Sequence, residues 1–290
     1  MSSFTTRGRV FAGTIMAGLI GALPYAPGLA QQATPQLATA QQKGAPPDFS
    51  SNQVGWISIG GDIAEIPGAG PGIVRSNPAY PYVPNGTGAQ PTYRIADLTN
   101  PNLKPWVKER MKKDNDEVLG GKIAFTARSS CHAAGVPGFM SYGRFTPVFF
   151  VQSPKEVLII FESDQQIRRV YLDVPHSENP QPSWYGESVG RYEGDTLVID
   201  TIALNDKTFV DNFRTPHTAR LHVVERWRVV ENGNVLEVKF TVDDPDAFNE
   251  PWSAMQRYRR VQQPWREEIC AENNQHLFDY HIPVASKPDF

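Results

Sequence analysis

The stretch "WYGESVGRYEGDTLVID", residues 184–200, decides the predicted fold. Every second residue from Trp184 to Tyr192 reads Trp, Gly, Ser, Gly and Tyr, which is the alternation of a β-strand with one nearly bare face. The following "YEGDT" is typical of a hairpin turn, and "TLVID" resumes the alternation. The stretch therefore predicts two antiparallel strands. It also raises a question, because glycine weakens a strand and two glycines share this face.

The same pattern of short strands and turns continues in both directions. Turns such as "ESDQQ" and "ENGN" favour an antiparallel meander, and eight or nine strands of this kind close into a barrel. The predicted fold is therefore mainly β, an antiparallel up-and-down barrel of lipocalin-like or calycin-like type. The predicted strands are 146–151, 156–162, 166–172, 184–192, 196–203, 220–230, 235–243, 252–261 and 266–271.

The N-terminal residues 1–30 predict a secretory signal peptide. Arg7 and Arg9 precede the apolar "VFAGTIMAGLIGAL", which is too short to span a bilayer comfortably, and "PGLA" places small residues before Gln31. No later segment reaches the roughly 18 apolar residues of a membrane helix. We therefore expect a soluble mature protein in the periplasm or outside a bacterial cell. In an oxidising compartment Cys131 and Cys270 predict a disulfide, with two buried thiols as the alternative.

The segment between the signal peptide and the barrel differs in composition. Residues 31–100 are rich in proline and glycine, which predicts an irregular leader and wrap with one short strand at "VGWISIGGDIAEI". Residues 101–290 form the predicted barrel domain. It begins with one helix, from about Leu103 to Val118, which Asn102 caps and "GG" at 120–121 ends.

Composition limits the partners. The chain has 290 residues, of which 40% are apolar, so it can bury a large core. The net charge is −3 with both signs interspersed, and no basic tract indicates a nucleic-acid surface. We expect a small-molecule ligand or substrate, no nucleic acid, and no membrane association after cleavage of the signal peptide. Composition does not indicate an oligomeric state.

Longer motifs resemble a known family. "YLDVPHSENPQPSWYGESVGRYEGDTLVIDTIALND" (171–206), "TPHTARLHVVERW" (215–227), "CHAAGVPGFM" (131–140), "DPDAFNEPW" (244–252) and "CAENN" (270–274) resemble a widespread family of mostly uncharacterised secreted bacterial proteins. Its signature runs P-x-W-x-G-x-S-x-G-x-W-E-G-D-T-L-V-V-D-T. This chain departs from the family pattern at "ALND" for "GFND", at "DVPHS" for "DGRPHP" and at "CHAAG" for "CLPPG". The resemblance implies secretion and a β-rich fold, and no particular chemistry.

Carboxylates on apolar strand faces are the first candidates for chemistry. In "RLHVVERWRVV" the face of Leu221, Val223, Glu225 and Trp227 should point inward, which leaves Glu225 among hydrophobic side chains. A buried carboxylate needs a cation or a donor, so Glu225 is either half of a structural ion pair or a site carboxylate. Asp200 in "TLVIDT" is similarly an acid beside apolar neighbours.

A histidine provides the predicted acid or base. His176 follows the strand "IRRVYLD", in which Tyr171 and Asp173 share one face. We predict that His176 is the general acid or base, that Asp173 orients it, and that Tyr171 donates a hydrogen bond to a developing oxyanion. Asp200 and Glu225 would contribute the second titrating group. The alternative for His176 is a loop histidine that bonds a turn.

The bare strand face predicts a bend in the strand, a ligand cavity, or both. A bend would help the barrel to close, whereas a cavity would leave room for a small ligand inside it. The predicted ligand-binding residues are Trp184, Gly186, Ser188, Gly190, Tyr192 and Trp227. Gly186, Ser188 and Gly190 also match G-x-S-x-G, but a hairpin follows them where a nucleophile elbow needs a helix.

Three function classes remain open from the sequence. The first is a cofactor-independent enzyme that moves protons on a small apolar or aromatic molecule, as a lyase, isomerase or hydratase does. The second is a carrier protein with the same cavity and no turnover. The third is a metal-dependent enzyme that uses His217 and His222, which are weak candidates because His222 and Glu225 face opposite sides of a regular strand. We predict no cofactor and no metal for the first class.

Overall fold

Ten β-strands and one α-helix make up the regular structure of the computed structural model. The structure describes residues 46–50, 54–60, 62–81, 94–122, 126–127, 131–141 and 146–269. The predicted signal peptide, Cys270 and the C-terminal "CAENN" therefore lie outside the described residues. The strands are β1 (Val54–Ser58), β2 (Ala64–Glu65), β3 (Val148–Gln152), β4 (Glu156–Phe161), β5 (Gln166–Leu172), β6 (Glu187–Glu193), β7 (Thr196–Ile202), β8 (His222–Val230), β9 (Val235–Asp243) and β10 (Trp252–Gln262), and the helix is α1 (Pro105–Leu119).

Nine of the strands close into a barrel. The order is β1, β3, β4, β5, β6, β7, β8, β9 and β10, and β10 returns to β1 with Val54 opposite Gln262 and Ser58 opposite Tyr258. The short β2 is an extra strand on β10. The predicted mainly-β barrel is therefore confirmed, and closure removes the exposed edges that an open sheet would have. The lipocalin-like or calycin-like type stays a prediction.

One pairing departs from the predicted up-and-down order. β5 and β6 run parallel, with Val170 opposite Ser188 and Leu172 opposite Gly190, whereas the other barrel pairs are antiparallel. Two parallel neighbours cannot be joined by a hairpin, so the chain returns along the barrel between them. We call residues 173–186, which make this return, the crossover segment.

The boundaries of other elements also differ from the prediction. β1 lies within the 31–100 segment, so this segment contributes a strand to the barrel. Helix α1 starts at Pro105 without a side-chain cap, because both amide atoms of Asn102 bond instead to the backbone of Glu250. Residues 263–269 form no strand, so the predicted strand at 266–271 is wrong over its described part. Among the described residues, no helix is long and apolar enough to cross a bilayer.

The barrel interior is filled by side chains. The predicted inward face of β8 is confirmed, since Val223, Glu225 and Trp227 are fully buried. The Trp227 ring stacks on Tyr258 and meets Phe150 edge to face. Other large side chains that are fully buried are Trp56, Phe49, Phe139, Phe240, Ile95, Met111, Met140, Ile159, Leu197 and Ile199.

Candidate active site

Two histidines and two carboxylates form one hydrogen-bonded chain. His176 Nδ1 lies 2.9 Å from Glu187 Oε1, and His176 Nε2 lies 2.9 Å from Asp200 Oδ1. The same Asp200 oxygen is 3.0 Å from His222 Nε2. The order along the chain is therefore Glu187, His176, Asp200, His222, and we call these four residues the His–Asp cluster.

Three strands and the crossover segment bring the His–Asp cluster together. Glu187 begins β6, Asp200 lies in β7 and His222 begins β8, all on the face of the sheet that points away from the buried core. His176 comes from the crossover segment. The Ser177 backbone N–H and hydroxyl both donate to the Glu187 carboxylate, at 2.8 and 2.6 Å, and so fix the segment at this point.

The cluster is half-covered. The side chains of His176, Glu187, Asp200 and His222 are 22%, 23%, 33% and 39% exposed. Water and a small molecule can therefore reach it, and His222 is its most open member. The cross-strand neighbours of Asp200 are Val189 and Val224, both partly buried, so the carboxylate has an apolar side chain on each side.

The partners shift the acid–base properties of the cluster. The hydrogen bond from His222 is the main cause that lowers the pKa of Asp200 below its ordinary 3.8. Burial opposes this lowering, and the hydrogen bond from His176 adds to it. The bond between His222 and Asp200, again opposed by burial, raises the pKa of His222 above 6.5. The Ser177 hydroxyl is the main cause that lowers the pKa of Glu187. The pKa shifts of Asp200 and His222 both favour the charged pair in which a protonated His222 lies beside an ionised Asp200.

His176 is held on both ring nitrogens. Both of its neighbours are carboxylates, and an ionised carboxylate only accepts hydrogen bonds. The two bonds therefore exist together only when the imidazole carries two protons, or when one of the carboxylates carries a proton. A proton at this position can be shared along the chain from Glu187 to Asp200.

The pKa shifts predict how stability changes with pH in Asp200→Asn. The raised pKa of His222 stabilises the fold below its ordinary 6.5, and this contribution is lost as pH rises through the folded-state pKa. The lowered pKa of Asp200 stabilises the fold above 3.8, and its contribution is lost as pH falls through the folded-state pKa. We expect the difference in melting temperature between wild type and Asp200→Asn to be largest between these values and to shrink on either side. A difference that is constant across pH would contradict this expectation.

The other predicted catalytic residues lie elsewhere. Tyr171 is paired with Val189 on β6, and Val189 is paired with Asp200 on β7. Tyr171 therefore lies on the same outer face as Asp200, two strand spacings or about 10 Å from it. The Asp173 backbone N–H donates to Gly190 O. Burial is the main cause that raises the pKa of Tyr192, and the negative charge of Asp173 adds to this rise. No hydrogen bond between Asp173 and His176 is present, so the ring is oriented by Glu187 and Asp200, in place of Asp173.

Glu225 is inside the barrel, on the opposite face from the cluster. Arg168 Nη1 and Nη2 donate to its two carboxylate oxygens at 3.0 and 2.5 Å, and both side chains are at most 2% exposed. Arg168 also donates to Ser188 Oγ at 3.1 Å and to Thr201 Oγ1 at 2.8 Å. Of the two interpretations of Glu225, this geometry supports the structural ion pair.

The bare face of β6 is closely packed by its neighbours. Ser188 and Gly190 face the interior beside β5, and a Cβ built on Gly190 would lie 2.8 Å from Val170 Cγ1 and 3.2 Å from Val198 O. Gly186 precedes the strand, has a φ of +64°, and would place a Cβ 2.3 Å from Ile202 O. The neighbours therefore fill the space at both glycines that the cavity prediction reserved for a ligand.

Gly190→Ala is expected to destabilise the protein by about 1–3 kcal/mol, the usual cost of overpacking. The stiff Val170 side chain and a backbone carbonyl both lie too close for a new methyl group. Gly194→Asn is the matched control, because a Cβ there meets nothing within 4 Å and asparagine tolerates its φ of +62°. Urea unfolding measures both variants. Equal stability of Gly190→Ala and wild type would show that β6 moves away freely.

The aromatic residues predicted to frame a ligand are dispersed. The Trp184 ring stacks on His132, with centroids 4.7 Å apart, and precedes the strand. Tyr192 is half-buried at the other end of β6, where its hydroxyl accepts a 2.8 Å hydrogen bond from Gln152 Nε2. Trp227 belongs to the core.

A separate cavity of about 10 Å³ holds about one water molecule. Its lining residues are Gly72, Val74, Asn100, Asn102, Leu103, Asp211, Thr215, Phe248 and Trp252.

The two weak metal candidates have different partners. His217 is buried, with Nε2 2.8 Å from Thr208 Oγ1 and Nδ1 3.0 Å from Thr218 O, whereas His222 faces Asp200. Burial lowers the pKa of His217. Within the part of the chain that the structure describes, no group of three or more His, Cys, Asp or Glu side chains is arranged to hold a metal ion. The metal-dependent alternative stays a prediction that elemental analysis tests.

Sequence reasoning missed Glu187 and the role of His222. Glu187 lies on the face of β6 opposite the glycines, and the alternation that exposed the bare face also places this carboxylate on the other one. His222 and Asp200 alternate onto the same outer face of adjacent strands. The sequence therefore indicated which side chains share a strand face, but it did not indicate the register that brings these side chains together.

Comparisons of the chain with protein-family models, with curated proteins and with solved structures found no match. The resemblance to the secreted bacterial family therefore stays a prediction.

Proposed function

We propose that this protein is an enzyme that moves a proton on a small apolar or aromatic molecule at the His–Asp cluster, without a cofactor, as a lyase, isomerase or hydratase does. The observation that carries the proposal is that two imidazoles bond to one carboxylate oxygen in a half-open position. A solvated surface needs no such arrangement, whereas acid–base catalysis needs positioned groups with separated pKa values.

His222 is the proposed acid. It is the most exposed member of the cluster, and Asp200 raises its pKa, so it still carries its proton where an ordinary histidine begins to lose it. Asp200 keeps its negative charge and holds the ring in place. When His222 gives its proton to the substrate, Asp200 remains hydrogen-bonded to both His222 and His176, so the change in charge acts on both rings.

His176 is the proposed partner base. In its neutral form one ring nitrogen carries no proton, and this nitrogen accepts the proton that leaves the substrate once the carboxylate beside it has turned away. The other carboxylate stays bonded to the ring and keeps it in position during the transfer. The apolar neighbours Val189 and Val224 suit an apolar substrate, and Tyr171 on the same outer face has a hydroxyl that can donate to it. The substrate thus lies on the outer face of the barrel.

A deuterium-incorporation screen tests this function. The mature protein is incubated in heavy water with small molecules that carry an acidic C–H or a hydroxyl beside an aromatic ring or a carbonyl group. We expect wild type to introduce deuterium or to eliminate water for at least one class, and His222→Ala to lose this activity. Arg228→Gln, an exposed change on the same strand, is the matched control. Equal activity of His222→Ala and wild type would contradict the proposal.

A carrier function is the second candidate. Ser58 Oγ, Trp227 Nε1 and Tyr258 OH are buried in the barrel without a hydrogen-bond partner among the described residues. Buried donors of this kind favour a bound acceptor, such as a water molecule or a polar atom of a ligand. Mass spectrometry of the protein purified under native conditions separates the two functions, since a carrier retains a small molecule that it does not convert.

We also propose that the chain is exported to the periplasm or beyond, begins near Gln31 when mature, and carries a Cys131–Cys270 disulfide. The basic and apolar N-terminal residues support export, and no free cysteine is found among the described residues, which include Cys131. We expect the intact mass to match a chain cut near Gln31 and to increase by two hydrogens on reduction. Two reactive thiols in the denatured, unreduced protein would exclude the bond.

A further inference from the structure

Apolar side chains adjoin one another on the outer surface of β3, β4 and β5. They alternate with residues of the buried core, so they point away from the barrel interior. The strand register places Phe149, Ile160 and Ile167 in one row, and Val151 and Leu158 in the next. We call these five residues the outer apolar patch.

The outer apolar patch is only partly covered. Phe149 and Ile160 are 8% and 2% exposed, whereas Val151 and Ile167 are 48% and 51% exposed. The outward residues of a barrel in water are usually polar, and adjoining apolar side chains that stay exposed mark a contact surface. The patch therefore favours contact with a further apolar group.

The segment that follows β10 covers the first part of this patch. The Trp265 ring stacks on Phe149, with centroids 5.9 Å apart. The Arg266 backbone N–H then donates to Glu162 Oε2 at 3.0 Å, and Gln165 Nε2 donates to Arg266 O at 2.8 Å. The chain thus passes from β3 to the turn between β4 and β5, which brings it to the edge of the patch beside the start of β5.

The sequence beyond this segment suits the exposed part of the patch. An extended chain places every second side chain on one side. From residue 278 to residue 284 the alternate residues are apolar, and they are Phe278, Tyr280, Ile282 and Val284. At about 3.3 Å per residue, the connecting residues 270–277 span up to about 26 Å, whereas the two strand spacings across the patch measure about 10 Å. The connection is therefore long enough.

We propose that the C-terminal segment 278–284 packs on the outer apolar patch and completes the cover that Trp265 begins. This contact is intramolecular, so it forms at any protein concentration, whereas a second copy of the chain would have to be recruited from solution. Burial of Val151, Ile167 and the apolar side of the segment stabilises the contact. The inference does not depend on the proposed function, because the His–Asp cluster lies on other strands.

Limited proteolysis of the full mature chain tests this contact. Chymotrypsin, which cleaves after aromatic residues, can cut after Phe278 and Tyr280, and mass spectrometry measures the rate at these sites. We expect wild type to be cut there at least about tenfold more slowly than a synthetic peptide of residues 275–290. Ile167→Asp should accelerate the cleavage by about tenfold or more, since cleavage follows the population of the undocked segment.

Leu119→Asp is the matched control, because it makes the same change at an apolar side chain that is 41% exposed and lies outside the patch. It should be cut at the wild-type rate. Circular dichroism checks that Ile167→Asp folds. Should it not fold, Val151→Asp is measured in the same way and must show the faster cleavage.

Three results would overturn the proposal. The first is cleavage of wild type as fast as that of the peptide, and the second is equal cleavage of wild type and a folded Ile167→Asp. The third concerns a second copy of the chain as the occupant. Sedimentation would then show a wild-type dimer that Ile167→Asp converts to a monomer, with no change in the rate of cleavage.

Discussion

Arg168→Met is expected to lower the free energy of unfolding by about 3–5 kcal/mol, the usual cost of leaving one member of a buried ion pair alone. Glu225 would then be a fully buried carboxylate without its cation, and Ser188 and Thr201 would lose the donor that binds them. Urea unfolding followed by tryptophan fluorescence measures the change, with Trp227 in the core as a reporter.

Two further variants separate the lost pair from lost packing. In Arg168→Met with Glu225→Leu neither charge of this ion pair remains, so most of the stability should return. Arg169→Met is the neighbouring control, because the Arg169 side chain is 55% exposed and its replacement should leave stability nearly unchanged. If the double variant is as unstable as Arg168→Met, the loss comes from the shape of the arginine rather than from its charge.

His176→Ala is expected to reduce the rate of the proton-transfer reaction by about 10²–10⁴-fold, the usual contribution of a general acid or base. The variant removes the ring that Glu187 and Asp200 hold in place. The measurement is the initial rate on whichever compound the deuterium screen identifies. The matched control Arg228→Gln should retain the wild-type rate.

A structural role of His176 would give a different result. Loss of the ring could loosen the crossover segment, so circular dichroism and melting temperature are recorded for the same samples. The pH dependence of the wild-type rate is a second measurement, which a purely structural role would not affect. The rate should fall as pH rises through the raised pKa of His222. A folded His176→Ala with the full rate would remove His176 from the mechanism.

The barrel strands were predictable because the patterns that indicate them lie within short stretches of sequence. Period-two alternation and hairpin turns placed β5 and β9 at their observed ends, and the inward face of β8 followed from its apolar residues. The direction of β6 was not predictable in this way, because alternation is the same in parallel and antiparallel strands. The cap at Asn102 failed for a related reason, since the backbone of Glu250, distant in sequence, competes for its amide group.

The candidate site was predictable only in part. His176 and Asp200 were selected as titratable residues near apolar strands, and the structure joins them. Glu225 was selected for the same reason and lies on the opposite face, because the sequence could not reveal that Arg168 reaches across β6 and β7 to it. Ser188 on the bare face of β6 accepts a hydrogen bond from this arginine, and Gly190 on the same face packs against Val170.

Nitrogen NMR titration of the histidine rings, in mature wild type and in Asp200→Asn, tests the central claim most directly. The claim is that Asp200 couples His176 and His222 into one acid–base site. We predict that His222 titrates above 6.5 in wild type and moves towards or below that value in Asp200→Asn. Identical His222 titration curves in the two proteins would contradict the account.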